Sequence, residues 1–222
     1  MSQISLSQQA YEDIKQKIVS LELPPGSVID EGSLQDELDL GRTPIREALK
    51  RLSLEKLVNI VPRRGMFVSE IGITDLQQLF ELRVMLESLA ARFAAQRGNH
   101  EQWHRMELAL NGLPWSDLPT EDEALMANEA LIAIDKTCHE IVYEAANNEF
   151  LQDTLITHYA LSLRLWYFFL VDIGDMRQAI LEHKRILKAL KARDAESASQ
   201  LMKSHIQAFQ EEIQSVMLGV PA

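Results

Sequence analysis

The longer part of the chain, after residue 70, is restricted to helical structure by the spacing of its apolar residues. These residues recur every three or four positions, which places them on one face of a helix, and no stretch shows the alternation of a half-buried strand. The predicted helices cover residues 75–97, 100–110, 121–146, 149–172, 175–192 and 195–217. We therefore expect an all-α antiparallel helical bundle in this part of the chain.

The segment before residue 70 contains three predicted helices. The first has its apolar residues on one face and ends at the breakers Leu23-Pro24-Pro25-Gly26. Ser33 is positioned to cap the second helix. The third begins at Thr43-Pro44, a capping hydroxyl followed by a proline at the first helical position, and extends to about Glu55.

Two short strands are predicted after the third helix. They cover residues 57–61 and 66–69, with the turn Pro62-Arg63-Arg64-Gly65 between them. Three helices followed by a hairpin with a basic tip is the order of a winged helix-turn-helix domain. We therefore predict a mainly α protein, with an N-terminal winged helix-turn-helix domain over residues 1–70 and the helical bundle over residues 75–217.

The charge of the chain is distributed unevenly. The formal net charge of -11 would be unusual for a protein that binds phosphate groups. Residues 41–65, however, contain seven basic residues against two acidic ones, a local balance of +5. Because the charge of the contacting surface counts for more than the total, one small surface of this protein can still face DNA.

The start of the third helix carries residues suited to reading DNA. A recognition helix enters the major groove with its N-terminal residues nearest the bases, and Arg42, Thr43 and Arg46 lie at that end. Arginine can contact guanine through two hydrogen bonds, and a hydroxyl beside a helix N-terminus suits a phosphate. Arg63 and Arg64, in the turn, are placed to reach phosphates or the minor groove. Composition alone is equally compatible with a solvated basic helix and turn.

Four residues of the helical part place polar groups on apolar stripes: Asp135, His139, His183 and His205. One histidine on such a stripe is usually a hydrogen-bonded core residue, but a buried carboxylate needs a partner. Asp135 and His139 are four residues apart and therefore point the same way from one helix. Imidazole and carboxylate together suit zinc, nickel, manganese or iron. We predict that the four residues hold one divalent ion, with zinc as the first choice.

Motifs in the first 69 residues identify a family. They are Leu23-x-Pro25-Gly26, Glu31-x-x-Leu34, the run from Arg42 to Leu49 with Arg51-Leu52, and Val61-Pro62-Arg63-x-Gly65. Together they resemble the GntR family of bacterial regulators. The resemblance implies that Arg42, Thr43 and Arg46 contact DNA, and that Gly65 lets the wing backbone approach the sugar-phosphate chain. The sequence departs from the family at residues 38–41, where Gly41 replaces the usual serine and its phosphate-binding hydroxyl.

The helical part carries a second set of motifs, namely Glu81-Leu82-Arg83 with Glu87, Asp135-x-x-x-His139, Asn148, Glu182-His183 and His205-Ile206. They resemble the FCD effector domain of the FadR subfamily. The resemblance implies that the aspartate and three histidines hold a metal, and that the effector is a small organic acid. Arg83 would then contact the effector's carboxylate, and Asn148 would cap a helix or lie near the pocket. Glu87, on the same helix, is an alternative partner for Arg83.

These features predict a metabolite-responsive transcriptional regulator that binds DNA and is not an enzyme. We expect a homodimeric repressor that recognises an inverted repeat in double-stranded DNA, because palindromic sites mirror two-fold symmetry. The small carboxylic acid would bind at the metal site. Two alternatives are a DNA-binding regulator with a purely structural metal site and a metal-dependent enzyme. Against the enzyme, the predicted ligands do not have the His-Glu-x-x-His arrangement, in which a glutamate base lies between two histidine ligands of one helix.

The sequence favours a cytoplasmic protein without membrane contact. Residues 1–10 are polar and lack the apolar core of a signal peptide, and the longest apolar run, residues 165–171, is too short to span a bilayer. The single cysteine, Cys138, excludes an internal disulfide and a cysteine zinc cluster.

Overall fold

The computed structural model describes residues 4–112, 121–169 and 177–218. The chain divides into two compact units between Ile73 and Thr74. The predicted fold class is confirmed: both units are mainly helical, and the N-terminal unit adds a two-stranded wing. The predicted end of one helix at residue 172, the predicted start of the next at residue 175, and most of the predicted loop at residues 111–119 lie outside the described residues.

The N-terminal unit consists of α1 (Leu6–Val19), α2 (Glu31–Leu38), α3 (Arg42–Leu54), β1 (Val58–Val61) and β2 (Gly65–Val68). Both α1 and α2 pack against α3. The core between them is apolar, with Ile14, Ile18, Ile45, Leu49 and Leu52 fully buried. β1 and β2 pair antiparallel, and Val61 lies opposite Gly65 at the turn.

The two predicted N-caps of this unit are wrong. Asp30, not Ser33, caps α2: its carboxylate accepts hydrogen bonds from Gly32 N and from the Ser33 hydroxyl. Asp30 lies three residues before Ser33 and caps a helix as well as a serine does, so α2 begins earlier than a Ser33 cap would allow. α3 begins at Arg42 with Gly41 as its cap residue, so Thr43 is already inside the helix and Gly41 offers no side chain for capping.

The C-terminal unit contains α4 (Ile73–Arg97), α5 (His100–Leu110), α6 (Glu121–Ala145), α7 (Glu149–Phe169), α8 (Arg177–Lys191) and α9 (Ala195–Leu218). α8 packs against α5, α6 and α9, and α7 packs against α6 and α9. Each helix lies within a few residues of its predicted bounds wherever the structure describes it. Among the described residues, no helix is both long and apolar enough to cross a bilayer.

Short turns connect several of these helices. Between α4 and α5 the chain passes close to Trp103, and a Cβ on Gly98 would lie 2.2 Å from that indole ring, so the position requires glycine. Asn99 then caps α5 in a reciprocal capping box with Gln102. Between α6 and α7, Asn147 takes a φ of 48°, and the Asn148 side chain accepts a hydrogen bond from Leu151 N at 3.2 Å. These turns fix which faces of the helices meet inside the bundle.

Candidate DNA-binding surface and metal centre

The N-terminal end of α3 exposes the three residues predicted to contact DNA. Arg42, Thr43 and Arg46 all face solvent, with 69% of the Arg42 side chain and 47% of the Arg46 side chain exposed. Ile45 and Leu49, on the opposite face, are fully buried and anchor the helix. Because no side chain caps the first turn of α3, its backbone N–H groups remain available to an anion such as a phosphate.

The wing presents a basic tip whose shape depends on one glycine. Arg63 and Arg64 are exposed, and Arg64 N closes the turn with a 3.0 Å hydrogen bond to Val61 O. Gly65 has a φ of 110°, which side chains rarely adopt, yet a Cβ there would meet no atom within 4 Å. The glycine is therefore required by backbone conformation and leaves open space beside the wing. The roles of these wing residues on DNA stay predictions.

Asp135, His139, His183 and His205 converge at one point inside the C-terminal unit. Asp135 and His139 come from α6, His183 from α8 and His205 from α9. One ligand atom from each residue lies within 4.8 Å of the others, and all four side chains are buried. The structure thus brings together the four residues that the sequence analysis singled out.

Two glutamates orient two of the histidine rings. Glu87 Oε2 lies 2.6 Å from Nδ1 of His139, and Glu182 Oε2 lies 2.8 Å from Nδ1 of His205. A carboxylate beside Nδ1 accepts the proton of that nitrogen and leaves Nε2 with a free lone pair. The Nε2 atoms of both rings therefore point into the cluster, as ligation of a metal requires.

The centre of the cluster has the chemistry of a cation site. The Nε2 atoms of His139 and His205 lie 3.2 Å apart, and Nε2 of His183 lies 2.7 Å from Oδ1 of Asp135. With their Nδ1 protons directed to glutamates, His139 and His205 would turn two lone pairs toward each other, a repulsion that a shared cation relieves. Three imidazoles and one carboxylate are a donor set for a divalent transition metal. The residues present therefore fit such an ion.

The pKa values inside the cluster follow from burial and charge. Burial lowers the pKa of His183 to about 4, so this ring is neutral at pH 7 and able to ligate. Burial also opposes charge on His205, but its hydrogen bonds with Asp135 and Glu182 raise its pKa to about 9. Burial would raise the pKa of Asp135 too, yet the neighbouring histidines hold it well below its usual value. Without an ion, His205 would therefore be protonated beside the negative carboxylate; a divalent ion at the centre would have to take the place of the proton on Nε2 of this ring.

Three residues around the cluster were not assigned a role at the metal by the sequence analysis. Tyr159 donates a 2.7 Å hydrogen bond to Oδ2 of Asp135. Its position among the apolar residues of α7 carries no sequence signal, since a buried tyrosine has many ordinary uses. Glu87 and Glu182 belong to quoted motifs, but neither their distance to a histidine nor the ring nitrogen they contact can be read from the sequence.

The two predicted effector-binding residues have internal partners. Arg83 is only 2% exposed; its Nε lies 2.5 Å from Glu87 Oε1, and its Nη1 donates to the Ser162 hydroxyl. The structure therefore shows the alternative partner that the sequence offered for Arg83. Asn148 caps α7 through Leu151 N. A role for either residue in binding an effector stays a prediction.

A cavity of about 510 Å³ lies beside His205, one of the four residues of the cluster. His205 and Glu182 line it on the cluster side. The rings of Trp166 and Phe209, stacked with centroids 4.0 Å apart, contribute its apolar surface. The volume is in the range of small-molecule sites. His205, and Glu182 that orients its ring, are therefore accessible from a space that could hold a ligand.

Each of the two units matches a known protein family. The FCD domain model matches residues 78–208, and the model of bacterial regulatory proteins of the gntR family matches residues 6–68. The HTH-type transcriptional repressor RspR of Escherichia coli (strain K12) is 24% identical over 211 residues, covering 95% of this chain and 90% of that protein. The Nta operon transcriptional regulator of Aminobacter aminovorans is 26% identical over 201 residues, covering 90% and 91%. The domains and relatives indicate a transcriptional regulator.

Solved structures show the same fold. E. coli McbR/YncC superimposes with a TM-score of 0.80 at 21% identity, covering 98% of this chain and 99% of that one. A putative GntR regulator from Rhodococcus sp. RHA1 has a TM-score of 0.71 at 21% identity, covering 97% and 99%. The recognition helix, the wing and both family matches lead to one conclusion: the chain belongs to the GntR family of bacterial regulatory proteins, and is a DNA-binding transcriptional regulator with a C-terminal FCD effector domain.

Proposed function

We propose that this regulator holds a divalent ion through Asp135, His139, His183 and His205, and that a small carboxylic acid bound beside the ion changes its affinity for an operator. The observation that supports the proposal is the convergence of four buried ligand atoms within 4.8 Å, with ring nitrogens turned inward by Glu87 and Glu182. Zinc is the first choice, with nickel, manganese or iron as alternatives.

The residues around the centre have distinct tasks in this proposal. Asp135 and the three histidines bind the ion, and Glu87 and Glu182 orient two of the rings. A bound divalent ion supplies positive charge and open coordination positions for a carboxylate. The cavity beside His205 gives the rest of the effector a place, with Trp166 and Phe209 as apolar contacts. Since Glu182 lines the cavity and contacts His205, it touches both the ligand space and the cluster.

The regulatory output follows from linkage between two sites. An effector shifts DNA binding only by its difference in affinity for the operator-binding and the released state. A typical coupling of about 1–3 kcal/mol changes operator affinity roughly 5- to 150-fold. We propose a repressor, since the relative RspR is described as a repressor. We also propose a homodimer on an inverted repeat, because one winged domain reads few bases.

A purely structural metal site is the second candidate. The burial of all four ligands favours it, because structural sites are closed whereas ligand-binding sites keep an open position. The two candidates share the metal and differ in the response to a carboxylic acid. The cavity in contact with His205 favours the first.

Elemental analysis of protein purified without an affinity tag tests the metal centre. We expect about one divalent ion per chain in the wild type and much less in His183→Ala, which should also unfold at a lower temperature because binding free energy adds to folding free energy. His158→Ala is the matched control, since His158 bonds to Thr154 O on its own helix and lies outside the cluster. A wild-type metal content near zero, or equal contents in wild type and His183→Ala, would remove the metal from the proposal.

A further inference from the structure

Glu31, the first residue of α2, lies between the two arginines predicted to read bases. Its Oε2 is 3.6 Å from Nε of Arg42 and 3.4 Å from Nε of Arg46. α2 packs against α3, so these contacts join the two helices of the helix-turn-helix. One carboxylate oxygen therefore approaches both arginines of the recognition helix at once.

The negative charge of this oxygen is compensated by the two arginines. Glu31 Oε2 is shielded from solvent and has no hydrogen-bond partner in the described part of the chain. A carboxylate oxygen removed from water needs a compensating positive charge. Arg42 and Arg46 are the cationic side chains that the described residues place within 4 Å of it.

The backbone beneath Glu31 is fixed independently of the arginines. Asp30 caps α2 and bonds to Gly32 N and to the Ser33 hydroxyl, which holds the first turn in place. Glu31 is the acidic residue of that turn, where the positive end of the helix dipole favours a carboxylate. Glu31 is thus an anchored anion, whereas Arg42 and Arg46 are long side chains that gain order by contacting it.

Both contacts are made through Nε, which leaves the terminal nitrogens of each guanidinium to an external partner. Arginine reads guanine with a planar pair of N–H groups, so a fixed guanidinium plane favours the correct base. The same carboxylate repels a DNA phosphate that approaches the two arginines. Glu31 can therefore strengthen base contacts and weaken backbone contacts, and specificity is the difference between the two.

We propose that Glu31 is a specificity-determining residue, which positions Arg42 and Arg46 for bases and disfavours their binding to phosphates. The proposal rests on the assignment of these two arginines as base contacts. It is independent of the metal centre and of any effector.

The test compares dissociation constants for two duplexes: one selected by the wild-type protein from a random library, and one of random sequence. The ratio is the dissociation constant for the random duplex divided by that for the selected duplex. In Glu31→Gln, we expect this ratio to fall by about 5-fold or more, near the lower end of the discrimination that one bidentate arginine–guanine contact provides. The affinity for random DNA should rise. Glu31→Asp keeps the charge but shortens the side chain, so its ratio should fall without that rise.

Glu37→Gln is the matched control. It removes one negative charge from the same helix, where Glu37 pairs with Lys17 at 2.6 Å and not with an arginine of α3. Its ratio should stay at the wild-type value. Thermal unfolding of each variant confirms that the N-terminal unit is folded before the constants are compared.

The outcomes separate the proposal from the assignment on which it rests. If Arg46→Ala lowers the ratio but Glu31→Gln does not, or if Glu37→Gln lowers it equally, the role of Glu31 is wrong and the base contact stands. If Arg42→Ala and Arg46→Ala both leave the ratio unchanged, the assignment of the base contacts is wrong, and the role of Glu31 falls with it.

Discussion

At the scale of single residues, Glu87 contacts both Arg83 and His139, and both of these side chains are buried. Its carboxylate lies 2.5 Å from Nε of Arg83 and 2.6 Å from Nδ1 of His139, and it is fully buried. Burial alone would raise the pKa of Glu87, but the charge of Arg83 and the hydrogen bond with His139 hold its pKa at about 2. An ionised pair, not a neutral acid, therefore lies beside the cluster of Asp135 and the three histidines.

Glu87→Gln is expected to destabilise the protein by about 3–5 kcal/mol, because it leaves the buried Arg83 without its counter-charge. Urea unfolding of the wild type and the variant measures the difference. Adding Arg83→Met to Glu87→Gln should restore part of the stability, since the double variant buries neither charge. Glu140→Gln is the control: its pair with Lys136 is exposed and 3.7 Å long, and should contribute about 0–1 kcal/mol.

The same variants decide between the two partners that the sequence offers for Arg83. If Arg83→Met alone is as stable as the wild type, the pairing with Glu87 is not what holds Arg83, and the effector's carboxylate becomes its best partner. If Arg83→Met is strongly destabilised and Glu87→Gln rescues it, Arg83 is a core residue that acts on the metal cluster through Glu87 and His139.

Asp135, His139, His183 and His205 could be singled out from the sequence because each places a polar group on an apolar helix face, where it interrupts the helical period of apolar residues. The supporting residues could not. Glu87 and His139 are 52 positions apart, and their 2.6 Å contact depends on how two helices pack. Tyr159 is also unpredictable, because a tyrosine among apolar residues fits the pattern of any buried helix.

At the scale of secondary-structure elements, α3 is the helix predicted to read bases. Arg46→Ala should reduce discrimination between the selected and random duplexes by about 1–3 kcal/mol, the contribution of one bidentate base contact. Fluorescence anisotropy at fixed salt measures both dissociation constants. Arg105→Ala, which removes an exposed arginine from α5, is the control and should leave the ratio unchanged. An unchanged ratio in Arg46→Ala would mean that this residue does not read bases.

The wing is expected to act on the DNA backbone instead. Arg63→Ala should weaken binding to selected and random duplexes by a similar factor, because phosphate contacts carry no sequence information. The slope of the logarithm of affinity against the logarithm of salt concentration should fall by about 0.9 for one lost phosphate contact. A loss confined to the selected duplex would instead place Arg63 on a base edge.

The elements themselves show where prediction from sequence succeeds and fails. The helical period of apolar residues predicts most of the described helices well, because these helices bury an apolar face, whereas α2 buries only Leu34. The N-caps of α2 and α3 were assigned wrongly, since Asp30 and Ser33 are equally good capping residues three positions apart and since Gly41 caps α3 without a side chain. Capping energies of about 1 kcal/mol are too similar to choose between neighbouring candidates.

At the scale of the whole molecule, the chain combines a winged helix-turn-helix unit with a larger helical FCD unit. The excess of acidic residues does not prevent DNA binding, because the basic residues concentrate in α3 and the wing. The sequence predicted the family, which the family models confirm. The cavity beside His205 could not be predicted, since its walls come from three helices and its volume depends on their packing.

The central claim is that a small carboxylic acid, bound beside a metal in the C-terminal domain, controls DNA binding. The most direct measurement is the dissociation constant for the selected duplex, for metal-loaded wild type and for His183→Ala, with and without each member of a panel of small mono- and dicarboxylic acids. We predict that at least one acid weakens wild-type binding roughly 5- to 150-fold and leaves His183→Ala unaffected. Unchanged wild-type binding across the panel, or an equal change in both proteins, would contradict the account.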